Sequence, residues 1–278
     1  MKNLVRTLVF GGQVSLTIAD TTALVGEAIT RHRLSPASAK TLGKALSAMT
    51  FASACLKEKT GEISLSVKCD GACGELGVSG NRNLYMRGYI TNTDMREDTQ
   101  LLGGGFLTIV RDDGYSRPFV GACALPLGGG VDEAFEEYYR ISEQLPTYIK
   151  TIVEISERGE CDFAGVAVLQ PLPFADENTL KNTQNAPLDK LLAQAKQTGV
   201  EEAVRSFFDT DGAVWETREA VYKCNCSRAR LGEVLISLGE AQMRQIIQED
   251  GAVRVHCHYC NTDYEFTEED ARKLFPKK

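Results

Sequence analysis

The residues of this chain best suited to chemistry are its nine cysteines, and four of them cluster near the end. The pattern is Cys224-Asn225-Cys226, then thirty residues, then Cys257-His258-Tyr259-Cys260. Two close pairs of thiols joined by a small folded insert can bring four sulfurs to the corners of a tetrahedron, the geometry zinc favours with thiolate ligands. A two-residue spacer lets the backbone curl around one metal, and the tighter Cys-x-Cys also sets two sulfurs on one side. His256 and His258 adjoin Cys257 and compete as ligands, but four sulfurs already complete such a site. Cys224, Cys226, Cys257 and Cys260 are therefore expected to hold one zinc ion.

The other five, Cys55, Cys69, Cys73, Cys123 and Cys161, are scattered. Cys69-Asp70-Gly71-Ala72-Cys73 has a metal-like look but lacks further ligands, so a strand end with a glycine turn is the preferred reading. Cys55 falls on the apolar face of a helix, and Cys123 and Cys161 fall in or beside strands. All five read as core or surface cysteines. An odd number of cysteines without even spacing does not describe a secreted disulfide scaffold. Nor is a signal peptide expected. Arg6, Gly11, Gly12 and Gln13 interrupt the apolar start, and no small-residue cleavage site follows. The reducing cytosol is the expected compartment, where clustered cysteines bind metal or sense redox state.

Several functions are disfavoured. No apolar run reaches the roughly 18 residues a membrane span needs. The formal net charge of −7 argues against nucleic acid or an anionic membrane as partner. Residues 219–278 carry nine basic against ten acidic side chains, whereas a nucleic-acid-binding zinc ribbon usually presents a basic surface. Gly103-Gly104-Gly105 lacks the Lys-Ser/Thr of a phosphate loop and precedes a strand pattern, so it reads as a turn. No nucleophile with a neighbouring base, paired carboxylates or dinucleotide fingerprint is visible; no catalytic residue is assigned and an enzyme is not expected. Two rivals stay open: a structural zinc ribbon that binds nucleic acid, and a thiol–disulfide oxidoreductase working through Cys257 and Cys260.

The elements that must position these cysteines suggest an α+β chain in three parts. Residues 1–174 read as a mixed domain with antiparallel sheets, 175–218 as a helical linker, and 219–278 as a small four-cysteine zinc domain. In the first part, Leu4–Val9 and Val14–Ala19 predict strands around Gly11-Gly12. Asp20-Thr21-Thr22 caps one helix, and Ser35-Pro36 opens a longer one through Ala52. Strands are predicted at 62–67, 85–91, 106–111 and 165–170. The apolar positions Tyr148, Ile149, Ile152, Val153 and Ile155 predict a helix. Residues 176–187 have linker composition. Two short amphipathic helices follow, the first carrying Leu188, Leu191, Leu192 and Ala195, the second Val200, Ala203, Val204, Phe207 and Phe208. Between the cysteine pairs, residues 227–238 and 240–248 predict two helices around Gly239.

The cysteine region, from Tyr222-Lys223-Cys224-Asn225-Cys226-Ser227 through Val255-His256-Cys257-His258-Tyr259-Cys260 to Tyr264-Glu265-Phe266, resembles the C-terminal signature of the heat shock protein 33 family, bacterial redox-regulated holdase chaperones. Leu238-Gly239 fits as well. Upstream, Ser35-Pro36-Ala37, Leu42-Gly43, Leu56-Lys57, Gly88-Tyr89, Gly103-Gly104-Gly105, Tyr139, Ser142-Glu143-Gln144-Leu145-Pro146-Thr147 and Leu169-Gln170-Pro171-Leu172-Pro173 resemble family motifs, so the likeness runs over nearly the whole chain. It implies an N-terminal domain for client binding and dimerisation, a metastable linker and a zinc-binding redox switch. It implies an inactive reduced, zinc-bound form. Oxidation then pairs Cys224 with Cys226 and Cys257 with Cys260, zinc leaves, the linker unfolds, and unfolded or misfolded clients are held, by a homodimer when oxidised. Cys69 and Cys73 lie outside this signature.

The physical chemistry is consistent with such a switch. Thiolates are nucleophiles toward peroxide or hypochlorous acid, and a sulfenic acid here has a resolving thiol two or three residues away. Structural zinc contributes roughly 10–16 kcal/mol to folding small metal domains. A core of about sixty residues rarely supplies more than about 3–5 kcal/mol alone. Loss of the ion is thus expected to unfold the domain, and exposed apolar linker faces are what bind unfolded chains.

Overall fold

The computed structural model describes residues 2–97 and 101–276. Its contacts divide the chain into two compact units, Met1–Lys223 and Cys224–Lys278.

In the first unit, β1 (Leu4–Val9) and β2 (Val14–Asp20) form a hairpin whose turn places Gly11 and Gly12 at φ of 62° and 84°, where glycine carries no Cβ penalty. Then come α1 (Thr22–His32) and α2 (Pro36–Ala54). Three strands follow, β3 (Glu62–Cys69), β4 (Glu75–Asn81) and β5 (Tyr85–Ile90), then β6 (Gly105–Asp112) and β7 (Phe119–Ala124). A short α3 (Val131–Tyr138) runs into a π-helical turn, Tyr139–Glu143, before β8 (Tyr148–Ile155) and β9 (Cys161–Pro171). Next are α4 (Glu177–Gln184), α5 (Leu188–Thr198), α6 (Val200–Phe207), β10 (Glu216–Arg218) and β11 (Val221–Tyr222). One sheet has the order β10-β1-β2-β9-β8, the other β11-β5-β4-β3-β6-β7. All pairings are antiparallel except β11 with β5, which is parallel.

The central helix α2 packs against strands of both sheets, touching β8 and β9 of one and β4 and β5 of the other. Its start is as the sequence predicts: Ser35 Oγ accepts from Ser38 N at 3.4 Å, with Pro36 in the first position. It is buried nearly all round, which small residues permit (Ala39, Gly43, Ala45, Ala48 and Ala52 among them). Buried hydroxyls of Thr41, Ser47 and Thr50 donate to the carbonyls four residues back, at 2.8–2.9 Å, so they need no water. The fit to β4 is tight. A Cβ at Gly80 would lie 2.2 Å from Ser53 Oγ and 2.6 Å from Met86 Sδ.

The helix expected over residues 148–155 is instead strand β8, paired with β9 from Tyr148↔Leu169 to Ile155↔Cys161. Helical spacing misleads here because apolar side chains fall on both faces of the strand, Ile149 and Val153 on the buried one and Tyr148 and Ile152 among Lys150 and Glu154 on the other. Ile149 joins the core around α2, while Tyr148 and Ile152 pack into the cluster under α5 and α6. Tyr148 and Ile152 on the half-exposed face blur period 2, and the β-branched run Ile149, Thr151, Ile152, Val153 favours strand.

Residues 176–187, polar enough to read as plain linker, contain α4, capped by Asp176 accepting from Thr179 N at 2.7 Å. α5 and α6 lie on the five-stranded sheet. Leu188, Leu191, Leu192, Ala195, Val200, Ala203 and Val204 are buried with Val5, Val9, Leu16, Ile18, Phe163, Ala167 and Leu169. Gly199, at φ 88°, joins the two helices, and Phe208 meets Phe10 edge-on at 5.4 Å. Beyond them the chain is stitched down. Thr7 Oγ1 donates to Val214 O at 3.1 Å, and Asn3 both donates to and accepts from the Ala220 backbone. Arg218 donates to the carbonyls of Arg82 and Ala54, closing the C-terminus of α2. Residues 219–223, grouped by sequence with the cysteine domain, are held to the first unit by Val221↔Tyr85 and Tyr222↔Met86.

The second unit contains α7 (Arg228–Leu238), α8 (Glu240–Asp250), the hairpin of β12 (Val253–Cys257) and β13 (Thr262–Phe266), and α9 (Glu268–Leu274). Gly239, at φ 99°, separates α7 from α8. The core is small: Leu235, Met243, Ile247, Val253, Phe266 and Ala271. Arg228 stacks over Phe266 at 4.6 Å and pairs with Asp270 at 2.7 Å.

Candidate metal centre

Cys257 is the last residue of β12, and Cys260 sits in the turn that leads into β13. That turn is closed by Cys260 N and Asn261 N, both donating to Cys257 O, at 3.3 and 2.8 Å. Asn261 adopts the left-handed conformation, φ 53°, which asparagine tolerates better than most residues. The turn thereby aims two thiols to one side. Cys224 and Cys226 come from the segment before α7, whose N-terminus Ser227 caps by accepting from Arg230 N at 3.1 Å. This cap ends the extended segment directly after Cys226.

The four sulfurs converge, all lying within 4.8 Å of one another. Cys224 Sγ is 3.8 Å from Cys257 Sγ, and Cys226 Sγ is 3.2 Å from Cys260 Sγ. Four ligands at the usual zinc–sulfur length of about 2.3 Å on a tetrahedron stand about 3.8 Å apart. The donor set and spacing therefore fit a thiolate-favouring ion such as zinc. Among the described residues, this is the one group of cysteine, histidine or carboxylate side chains close enough to hold a metal ion. Neither histidine joins it: His256 Nδ1 pairs with Asp263 Oδ1 at 2.7 Å, and its ring lies edge-on to His258 at 5.1 Å.

Hydroxyls that sequence reasoning leaves without a role surround the sulfurs. Tyr264 Oη is 3.2 Å from Cys226 Sγ, and Thr262 Oγ1 is 3.3 Å from Cys260 Sγ. The residues share one face of β13, and their alternation with Asp263 and Glu265 is the signal that could have found them. Such contacts orient and tune sulfur ligands. Burial first and the Cys260 thiol next push the Cys257 thiol up to about 12. The hydrogen bond to Cys226 likewise raises the Tyr264 phenol to about 12. A divalent cation would hold these side chains as thiolates and supply the charge around which they pack.

The remaining cysteines sit apart from this cluster: Cys73 and Cys123 are buried, while Cys55, Cys69 and Cys161 are partly covered. Burial raises the thiols of Cys55, Cys123 and Cys161, so none has the lowered pKa of a reactive nucleophile. No helix among the described residues is long and apolar enough to cross a membrane.

Comparison with known proteins agrees over the full length. A family model described as Hsp33 protein matches residues 2–267. The chain is 34% identical to the 33 kDa chaperonin of Bacillus mycoides, over 99% of this chain and 98% of that one. It is 33% identical to the 33 kDa chaperonin of Bacillus cereus, covering 98% and 97%. Its structure is similar to the crystal structure of the 33 kDa chaperonin (heat shock protein 33 homolog) of Thermotoga maritima, with a TM-score of 0.82, 27% identity and coverage of 99% and 98%.

Proposed function

Starting from the family to which this chain belongs, the Hsp33 family of chaperones, we propose that it is a redox-regulated holdase whose four clustered cysteines are the switch. The convergence of four sulfurs within 4.8 Å carries this reading. In the reduced state Cys224, Cys226, Cys257 and Cys260 hold one zinc ion. The ion supplies a charge that keeps four thiolates together and links the segment before α7 to the β12–β13 turn.

Peroxide or hypochlorous acid takes two electrons from each pair of near neighbours. One thiolate attacks the oxidant to give a sulfenic acid and its partner displaces water, forming Cys224–Cys226 and Cys257–Cys260 disulfides. No thiolate is then left as a ligand. The six-residue core of the second unit cannot replace roughly 10–16 kcal/mol of metal binding, so the unit unfolds. The linker, 175–218, is the part whose release matters. When α5 and α6 leave the sheet, their apolar faces and the residues they cover, Val5, Val9, Leu16, Ile18, Phe163 and Leu169, become a continuous apolar surface for unfolded or misfolded clients. The oxidised form acts as a homodimer in the cytosol, with no catalytic residue and no nucleic acid or membrane as partner.

The test is zinc content and aggregation of a denatured client, measured side by side before and after peroxide. Release of about one zinc per chain together with gain of aggregation suppression is the expected result. A reduced, zinc-loaded protein as active as the oxidised one, or oxidation that releases zinc without activating, would refute the switch.

A further inference from the structure

The hydroxyl of Tyr264 sits where the two halves of the four-sulfur site meet. Across the hairpin Val255 pairs with Tyr264 and Cys257 with Thr262, so one face of β13 carries Phe266, then Tyr264, then Thr262 toward the turn. Phe266 belongs to the core of the second unit, and the Tyr264 ring packs against that core. The register therefore sets the phenol with its ring among apolar side chains and its oxygen beside the sulfurs. That oxygen lies 3.2 Å from Cys226 Sγ, thirty-eight residues earlier in the chain. Thr262 stands differently. Its hydroxyl is 3.3 Å from both Cys260 Sγ and Cys260 O, so its one proton has a backbone acceptor. For Tyr264 charge settles the direction: a Cys226 thiolate that ligates a metal ion carries no proton, so the O–H donates to sulfur.

We propose that Tyr264 is a positioning residue of the switch: its hydroxyl donates to the Cys226 thiolate, ties the segment before α7 to the β12–β13 hairpin, and slows oxidation of the Cys224–Cys226 pair. The inference rests on the proposed reading of the four cysteines as a zinc-held switch. A hydrogen bond to an anionic sulfur draws charge from its lone pairs, and a less electron-rich thiolate attacks peroxide more slowly. The reaction it slows is a two-electron one. Two thiolates, one hydrogen peroxide and two protons from solvent become one Cys224–Cys226 disulfide and two waters. The same hydrogen bond holds Cys226 in its ligand position, and outer partners of this kind are worth about ten- to a hundredfold in metal affinity. The bond ends on Cys226, so its effect on oxidation belongs to one pair of thiols.

The experiment uses the full chain, reduced and loaded with zinc or, for spectroscopy, with cobalt(II). Tyr264→Phe keeps the ring in the core and removes only the hydroxyl. Glu265→Gln is the control, on the opposite face of β13, where Glu265 pairs with Arg254 at 3.1 Å. Samples oxidised with hydrogen peroxide in excess zinc are alkylated and digested with trypsin. Cleavage after Lys223 and Arg228 releases residues 224–228 with Cys224 and Cys226, and cleavage after Arg254 and Arg272 releases residues 255–272 with Cys257 and Cys260. In Tyr264→Phe the first peptide should reach its disulfide form several-fold faster than in wild type, while the second keeps the wild-type rate. The sulfur-to-cobalt charge-transfer band should move to longer wavelength, which a merely structural role would not bring about. Zinc affinity, measured by chelator competition, should fall about ten- to a hundredfold. Glu265→Gln should match wild type in all three. A wild-type chain that takes up no ion would overturn the zinc reading and this inference with it. One ion bound by wild type, with the cobalt spectrum and the oxidation of residues 224–228 unchanged in Tyr264→Phe, would overturn this inference alone, as would equal acceleration of both pairs.

Discussion

Leu192 is the place to ask whether linker docking keeps the reduced protein inactive. It is 0% exposed, in the middle of the α5 face that rests on β8 and β9, and its Cδ2 lies 3.2 Å from where a Cβ at Gly165 would be. Leu192→Ala removes a fully buried isobutyl group, a change that costs about 2–5 kcal/mol in well-packed cores. That corresponds to roughly a thirty-fold to three-thousand-fold shift toward the undocked linker, at about 1.4 kcal/mol per factor of ten. For a linker docked by about 4 kcal/mol, a loss of about 3 kcal/mol raises the undocked fraction from about 0.1% to about 15%. The assay pairs two readouts on reduced, zinc-loaded protein. Amide exchange over residues 188–207 should quicken by roughly a hundredfold, and aggregation of a diluted, denatured client should be partly suppressed without oxidant. Lys190→Ala, on the exposed face of the same helix, should change neither. Rapid exchange in α5 and α6 at unchanged zinc content, with no client held, would refute the idea that these helices cover the client surface.

Two further predictions follow from packing and charge. Asp132 is buried, accepts from Thr151 N at 3.1 Å, and has a carboxyl raised mainly by burial, against the lowering effect of the Thr151 hydrogen bonds, Lys44 and Lys150. A folded pKa above the unfolded one means the native state binds the extra proton, so this group's stabilisation is full below about pH 3.9 and is lost as pH rises through the folded value. Asp132→Asn should therefore flatten the decline in urea midpoint just above pH 4 relative to wild type; an unchanged pH profile would contradict the assignment. Gly80→Ala should destabilise by about 1–3 kcal/mol, because its Cβ collides with Ser53 and Met86 at the seam between α2 and β4. Thermal melting checks this, and an unchanged Tm would mean that the seam yields.

What could be read in advance follows from how local each determinant is. The cysteine pairs are legible because metal ligation is written in short spacings. Ser35-Pro36, Gly11-Gly12 and Gly239 are legible because caps and turns depend on a few residues. β8 is not, because its apolar side chains pack against elements far away in sequence, Ile149 with the core around α2 and Tyr148 and Ile152 with the linker helices. β4 hides behind Gly77 and Gly80, small for the sake of Tyr89, Ser53 and Met86 rather than for any strand preference. β12 and β13 carry an alternation too short to stand out beside the cysteine motif they support.

The two shortest strands have a consequence of their own. β10 and β11 are the outermost members of the two sheets, laid along β1 and β5. If the proposed release of the linker, 175–218, carried on through β11 to Tyr222, it would bare more than side chains. It would leave two rails of unpaired N–H and C=O groups, one on each sheet, where an extended polypeptide could add itself as the next strand. Backbone rails read no side chains, which is the property needed to hold unfolded chains of unrelated sequence. On the proposed reading the same edges would bar early activation, since while β10 and β11 are in place both seats are taken.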